Sequence, residues 1–464
     1  MTLFKDATRR KNSSQTKRGG EAAAAAACTR AEELAREGMW SKAAAALLDT
    51  GTADPTPDAR KELEALHPEA AQALDDLSTS GCPPPPDITA STVIEQLRSF
   101  PRGSAPGPSG LRAQHLLEAL VSGEEDPLAE RLAALVNWLA RGAASTAAAP
   151  QLAGARLIAL LKPNGKLRPI AIGEVLRRLV GKCLCSTVQS AARDLLWPLQ
   201  CGVAVPMGVE SAIHVLRDWT ARHTHQRNKV LLKLDFSNAF NSISRRAVFE
   251  AVRKHLPQLL PWVDWCYRCT SELQFGSFDP LNSEEGVQQG DPLGPLLFAL
   301  AIQPLVERLA ELEINGRKAL DVVQFYLDDG TLCGDASEVA AALALLQREA
   351  AALGLKLNLA KCELVVPSGQ LDSELRTLFP AELLRKPDGE NRLNLAGDFD
   401  YLGSPIGSPA HCESYIRERI QQVKHVRSSV SAVPDTEVAF KIMKYCVNYG
   451  RVMHLMRTVP CDAA

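Results

Sequence analysis

The sequence predicts an α+β fold, and three stretches carry the prediction. Residues 322–334 are an apolar, β-prone run that enters an acidic turn at Asp328-Asp329-Gly330 and leaves through a second β-prone run, the pattern of a hairpin. Residues 229–235 are a strand-length apolar run that stops on Asp235, ahead of a helix starting near Ser244. Residues 156–170 read as two further strands around Pro163-Asn164-Gly165. Helical patterns fill most of the chain between these stretches.

In chain order, residues 1–28 are polar and basic (Arg9-Arg10-Lys11, Lys17-Arg18) and run into the alanines 22–27, which reads as a disordered, solvated arm. A small helical region follows over 29–77. Gly38 ends its first helix, and Thr56-Pro57 supplies an N-cap and a first-turn proline to its third. Residues 78–86, with four consecutive prolines, are expected to be a stiff linker and the first domain boundary. From 87 to 150 the pattern is helical, with Val93, Ile94 and Leu97 on one face and Leu128, Leu132, Leu135 and Leu139 on another, around a Pro/Gly loop at 104–111. Residues 245–270 are helical and aromatic. A long apolar helix runs from about 294 to Leu309, with a kink expected at Pro304. Residues 337–353 form an Ala/Leu helix that Gly354 ends. Residues 413–458 are mostly helical, with Arg417, Arg427, Lys441, Lys444 and Arg451 among apolar positions.

The net charge is −2, so any field that attracts a polyanion must be local. One such field exists: residues 151–182 hold seven Lys/Arg and a single acid, Glu174. The twelve cysteines are scattered in a chain without a signal peptide, which fits reduced thiols and an intracellular, nuclear or cytoplasmic setting rather than secretion. Cys266 and Cys269 have zinc-type spacing but no second pair nearby, and read as core. No apolar run reaches the length of about 20 residues that a membrane span needs, so no membrane partner is expected.

Taken singly, the acids have ordinary readings. Asp328-Asp329-Gly330 is an acceptable solvated turn, and Asp235 could cap a helix. Together they say more. If the Asp235 strand lies beside the hairpin, Asp235 and Asp328 converge at one sheet rim. Convergent carboxylates bind Mg²⁺ through oxygen, and two metals about 4 Å apart clamp the attacking and leaving oxygens of a phosphoryl displacement. A basic hairpin such as 156–170 can grip a triphosphate, with Arg forking onto oxygens and Lys acting as a point charge.

Three ordered motifs resemble reverse transcriptases, those of non-LTR (LINE-type) retrotransposons in particular: 234–240 (Leu-Asp-Phe-Ser-Asn-Ala-Phe), 288–298 (Gln-Gln-Gly-Asp-Pro-Leu-Gly-Pro-Leu-Leu-Phe) and 325–329 (Phe-Tyr-Leu-Asp-Asp). The resemblance spans roughly residues 90–410. It implies a right hand: fingers and palm over 87–410, an antiparallel palm sheet with helices, and a helical thumb that begins at 411–464 and is expected to be truncated. It implies RNA-directed DNA synthesis on an RNA template from a DNA primer with deoxynucleotides. Asp235, Asp328 and Asp329 become the catalytic acids, and Asp235, Asp328 and the Phe236 carbonyl the ligands of two Mg²⁺ ions, with Mn²⁺ as an alternative. Arg168 and Lys162 would hold the triphosphate, Gln289 and Gly290 would line the nucleotide site, and Lys361 would be a general acid for pyrophosphate. Phe240 would crowd a ribose 2′-hydroxyl. Arg177, Arg178 and Lys182 would touch the template backbone, and 401–404 resembles a primer-grip hairpin. Ser109, Val203 and Gly294 depart from the family pattern. A decayed or domesticated element that only binds nucleic acid, and an RNA-dependent RNA polymerase, are the alternatives. Oligomeric state is not legible.

Overall fold

The computed structural model describes residues 17–48, 52–120, 127–162, 164–386 and 388–460. Three helices come first: α1 (Lys17–Arg36), α2 (Trp40–Ala46) and α3 (Pro57–Ala65). The arm expected to be disordered over 1–28 is therefore helix from Lys17 onward. Its alanine run has the highest helix propensity of any residue type, and α1 passes straight through it. Residues 1–16, with Arg9-Arg10-Lys11, lie outside the described residues. Gly38 follows α1 at φ +73°, a conformation that disfavours a Cβ. Thr56 Oγ1 accepts from the Ala59 N–H (3.2 Å) and caps α3, with Pro57 in the first position.

The region 29–77 does not stand apart as a small domain. Its first two helices lay Ala31, Ala35, Ala43 and Ala44 against Val426, Val430, Val438 and Ile442 of the C-terminal helices and Val433 between them. Its third helix buries Leu63 against Leu157 and Leu167 of the basic hairpin. Nor is 78–86 a boundary between cores, since Leu74 before it and Ile88 after it belong to the same one. The cause is a set of guanidiniums that satisfy the carbonyls of an extended segment. Arg268 donates to Leu74 and Leu77, Arg253 donates to Ser78, and Arg246 pairs with Asp76.

The fingers follow. Helices α4 (Ala90–Arg98), α5 (Ala113–Ala119), α6 (Pro127–Ala140) and α7 (Ala149–Leu152) lead into β1 (Ala155–Leu161) and β2 (Leu167–Gly173), then α8 (Val175–Leu196) and α9 (Gly208–Arg222). Next come β3 (Lys229–Leu234), α10 (Ala239–Ser242), α11 (Arg245–His255), α12 (Leu260–Tyr267), β4 (Ser271–Gln274) and β5 (Leu281–Ser283). Then α13 (Gly294–Ala310) continues through Pro304, buried on nearly every face, so its sequence reads as continuous apolar rather than striped. A small ribbon, β6 (Glu313–Ile314) and β7 (Arg317–Lys318), precedes β8 (Leu320–Tyr326), β9 (Asp329–Asp335), α14 (Ala336–Ala352) and β10 (Glu363–Val365). After α15 (Ser373–Arg376) and α16 (Ala381–Leu384) come the hairpin β11 (Phe399–Tyr401) and β12 (Ser404–Ile406), and helices α17 (Pro409–Ser431), α18 (Thr436–Cys446) and α19 (Met453–Thr458).

The strands make two four-stranded sheets, ordered β2-β1-β4-β5 and β10-β3-β9-β8. The second is antiparallel throughout. Its strand β3 is buried on both faces. Val230, Leu232 and Leu234 enter the main core, and Leu231 turns the other way to join Ile213, Cys333, Val365 and Tyr401. Burial on both sides explains why this strand is apolar throughout, and its register fixes where Asp235 emerges.

Candidate active site

The hairpin β8–β9 closes through two residues, Leu327 and Asp328, because Tyr326 pairs with Asp329. The expectation that Gly330 shapes the turn needs correction. Gly330 lies in β9, opposite both Phe325 and Leu234, and an added Cβ would sit 2.5 Å from the Phe325 ring. The positive φ that the tight turn demands falls instead on Leu327, at +58°. Gln200, wholly buried, reaches the turn from outside: its Oε1 accepts from the Leu327 N–H (2.7 Å).

Asp235 follows β3 directly, one residue beyond the Leu234–Gly330 pair, which sets it beside the Asp328 turn. Its main chain is fixed by the segment after α14. Asn358 N–H donates to the Asp235 carbonyl (2.8 Å), Ser237 N–H donates to the Lys356 carbonyl (2.8 Å), and buried Phe236 bridges to Leu357. Asp235 Oδ1 is buried without a hydrogen bond and faces Lys361 Nζ at 3.6 Å. Burial pushes the Asp328 carboxyl above its ordinary range, and the charge of Asp235 adds to the push, while Arg168 and Lys162 oppose it. Asp329 is pushed up to about 6 by burial, then by Asp328 and Asp235. Its outer side is nevertheless open to solvent, so the direction holds and screening damps its energetic weight.

A buried carboxylate oxygen that accepts no hydrogen bond and has only the Lys361 ammonium opposite it, beside a second acid whose ionisation is resisted, suits a hard cation that takes oxygen ligands. Asp235, Asp328 and the Phe236 carbonyl could hold one. Among the described residues no group of three or more His, Cys, Asp or Glu side chains converges to hold a metal ion, so Asp329 does not complete a three-acid cluster with the other two.

The basic hairpin brings its charges within reach of this rim. Arg168, opposite Leu160, is exposed. Lys162 is half-buried, and its pKa is lowered by burial and by the neighbouring charges of Lys361 and Arg168, against the pull of Asp235. Lys162, Lys361 and Arg168 therefore share one field with Asp235, Asp328 and Asp329. Phe240 in α10 is half-buried and stacks on Phe298 with ring centroids 4.8 Å apart. The Gln289 carbonyl accepts from Ala171 N–H (2.8 Å), which ties the motif at 288–291 to β2, and Gly290 crosses so close that a Cβ would meet the Ala171 carbonyl.

Two expectations change. Arg177 is not a template contact, because its side chain is 2 % exposed and its Nη2 pairs with Asp291 Oδ2 at 2.9 Å. Arg178 donates to the Ala105 carbonyl (2.8 Å) and Lys182 to Ser99 Oγ (2.8 Å), both over the Phe100 ring, so they hold fingers loops. The Ser109 departure also finds its reason. Its N–H and Oγ–H each donate to Glu174 at 2.6 Å, a place where an aspartate would repel. The hairpin β11–β12 is held to the palm by Lys233, whose Nζ donates to the Asp400 carbonyl and to Glu363 (2.8 Å each). Cys266 is core, its thiol pushed up to about 12 by burial, whereas Cys269, expected in the core with it, is exposed beyond the end of α12.

An antiparallel palm whose rim carries Asp235 and the Asp328 turn, within reach of a basic fingers hairpin, defines a right-hand polymerase fold. The chain belongs to the reverse transcriptase (RNA-dependent DNA polymerase) family, whose model matches residues 160–406. It is 31% identical over 293 residues to the retrotransposable element SLACS 132 kDa protein of Trypanosoma brucei gambiense, covering 61% of this chain and 23% of that protein. It is 28% identical over 315 residues to the retrovirus-related Pol polyprotein from type-2 retrotransposable element R2DM of Drosophila melanogaster, covering 65% of this chain and 28% of that protein. The match thus spans about a quarter of the length of these curated relatives.

Proposed function

We propose that the chain is an RNA-directed DNA polymerase that extends a DNA primer on an RNA template. The observation that carries the reading is the pairing of β3 with β9, which sets Asp235 beside the Asp328 turn, within reach of Arg168 and Lys162. Asp235, Asp328 and the Phe236 carbonyl would hold the divalent ions. Two such ions, Mg²⁺ or Mn²⁺, supply when bound the Lewis acidity that activates the primer 3′-hydroxyl and offsets charge on the departing pyrophosphate. Arg168 and Lys162 grip the triphosphate oxygens. Gln289 hydrogen-bonds the incoming sugar or phosphate, and Gly290 leaves room for it. The 3′-oxygen gives up its proton to solvent and bonds to the α-phosphorus as the bond to pyrophosphate breaks, and Lys361 gives a proton to the leaving oxygen and regains one from solvent. Asp329 adds negative potential at the rim.

The test is primer extension by the intact chain with Mg²⁺, on RNA and DNA templates, with deoxynucleotides and ribonucleotides in separate arms. Deoxynucleotide incorporation on the RNA template is expected. Preferred incorporation of ribonucleotides would turn the reading to RNA synthesis. Salt-sensitive template binding without any incorporation would reduce the chain to a nucleic-acid-binding protein.

Phe240 provides a sharper prediction. Its ring is braced from behind by Phe298, so it cannot retreat from a 2′-hydroxyl without leaving that stack. A hydroxyl pressed on the ring loses its hydrogen bonds to water and gains none. Phe240→Ala is expected to raise ribonucleotide incorporation relative to deoxynucleotide by roughly 10- to 100-fold, as burying one unpaired hydroxyl would cost. Competition assays on one template measure this, and unchanged discrimination would remove Phe240 from the sugar site.

A further inference from the structure

We infer that Gln200 is a positioning residue for Asp328: its side-chain amide clamps the Leu327 peptide and so holds the turn that sets Asp328 beside Asp235. The inference rests on the reading of these acids as catalytic. Gln200 is 0% exposed. Its Oε1 accepts from the N–H of Leu327 (2.7 Å) and of Gly202 (3.2 Å), and its Nε2 donates to the Leu327 carbonyl (3.3 Å). Donor and acceptor of one amide are thus spent on one residue, a task that needs both functions on the same side chain. Leu327 is also the residue that needs help, because a side chain resists the left-handed φ of +58°. The segment that carries Gln200 is anchored independently. Phe325 N–H donates to the Leu199 carbonyl (2.7 Å) and Cys201 N–H to the Phe325 carbonyl (2.8 Å), so residues 199–201 run parallel beside β8. Gly202 keeps the way clear, since a Cβ there would fall 2.8 Å from Leu327 N and 2.9 Å from its Cγ.

Glycine at 327 would hold the same φ without strain. The clamp is therefore dispensable in a Leu327→Gly background, and that dependence separates positioning from general packing. The experiment compares the intact chain, Gln200→Met, Leu327→Gly and the double variant by amide hydrogen exchange at residue 327 and by single-nucleotide extension on an RNA template. Gln200→Met is expected to speed exchange of the Leu327 amide by about tenfold, the worth of one buried hydrogen bond. It should lower kcat by about 10- to 100-fold, as misplacing a reacting group does, with nucleotide KM and template Kd little changed. Adding Gln200→Met to Leu327→Gly should then cost no more than about threefold in kcat, because the turn no longer needs the clamp. An equal kcat loss in both backgrounds, a loss confined to template affinity, or unchanged exchange in Gln200→Met would overturn the inference. If the intact chain extends no primer, the functional reading falls, and exchange at Leu327 alone decides the clamp. If Gln200→Met does not fold, Gly202→Ala replaces it: displacing the turn directly, it should lower kcat while template affinity is kept, and a normal kcat would overturn the clamp.

Discussion

Asp328→Asn is expected to lower primer extension by at least about 10³-fold, because losing a carboxylate ligand removes several kcal/mol of metal-derived stabilisation from the transition state. The same change should stabilise the metal-free protein. Asparagine keeps the shape of the side chain and removes a charge that burial and Asp235 both oppose. The pH dependence follows from the direction of the shifts. An acid whose folded-state pKa is raised binds its proton more tightly when folded, so its charge costs nothing below its ordinary pKa. The cost then grows as pH rises toward the folded value, about 6 for Asp329. In EDTA, intact protein should lose stability between about pH 4 and pH 6 from this cluster. Asp328→Asn should lose less and melt at a higher temperature than the intact protein at pH 7. Mg²⁺ should raise the melting midpoint of the intact protein and do little for the variant, since a ligand stabilises only the state that binds it. Equal protection of both proteins by Mg²⁺, or undiminished extension by Asp328→Asn, would take the metal away from this pair.

These acids were legible in the sequence because their signals are local. A strand that stops on an acid and a hairpin that turns on one are read within a dozen residues, and their pairing follows from two faces that must both be buried. Gly330 shows where local reading misleads. Asp-Gly is a standard turn signal, yet the glycine is required by the Phe325 ring across the strand, and the turn falls on Leu327. Other features depend on contacts between distant segments. Gln200 lies two residues before Gly202 in the segment that leads to α9, but its partner is 127 positions away, so nothing nearby marks it as a clamp. The alanine-rich α1 looks like a solvated arm until the valines of α17 and α18 are placed against it. The proline stretch reads as a boundary because its composition is that of linkers. The guanidiniums that tie down the residues before it come from α11 and from Arg268, just beyond α12. Charge carried the largest misreading: Arg177 sits in the basic stretch 151–182 and is the most deeply buried cation there.

That burial sets up the second large effect. Arg177 projects from α8 of the fingers into the loop that opens α13 of the palm. Its guanidinium donates to Asp291 Oδ2 (2.9 Å), to Gln288 Oε1 (2.6 Å) and to the Ala153 carbonyl, and lies over the Tyr267 ring at 5.2 Å. Tyr267 Oη–H donates to the same Asp291 oxygen (2.6 Å), and the other accepts from Leu293 N–H (3.0 Å). Burial disfavours the Arg177 charge, but Asp291 together with Tyr267 and Cys266 more than offsets it, and the guanidinium stays protonated. Arg177→Met would leave Asp291 charged, buried and without its cation. It is expected to cost about 3–5 kcal/mol in denaturant unfolding, the usual result of breaking a buried pair from one side. Replacing both partners, Arg177→Met with Asp291→Leu, removes the stranded charge and should recover most of that stability. It should not recover extension, because Gln289 and Gly290 meet β2 through the backbone that Asp291 organises by accepting from Leu293. The double variant is thus expected to fold and to show a raised nucleotide KM. A loss under about 1 kcal/mol in Arg177→Met would mean that the pair contributes little net energy, as exposed ion pairs do. Normal extension by the double variant would mean that the loop finds its place without the ion pair that joins fingers to palm.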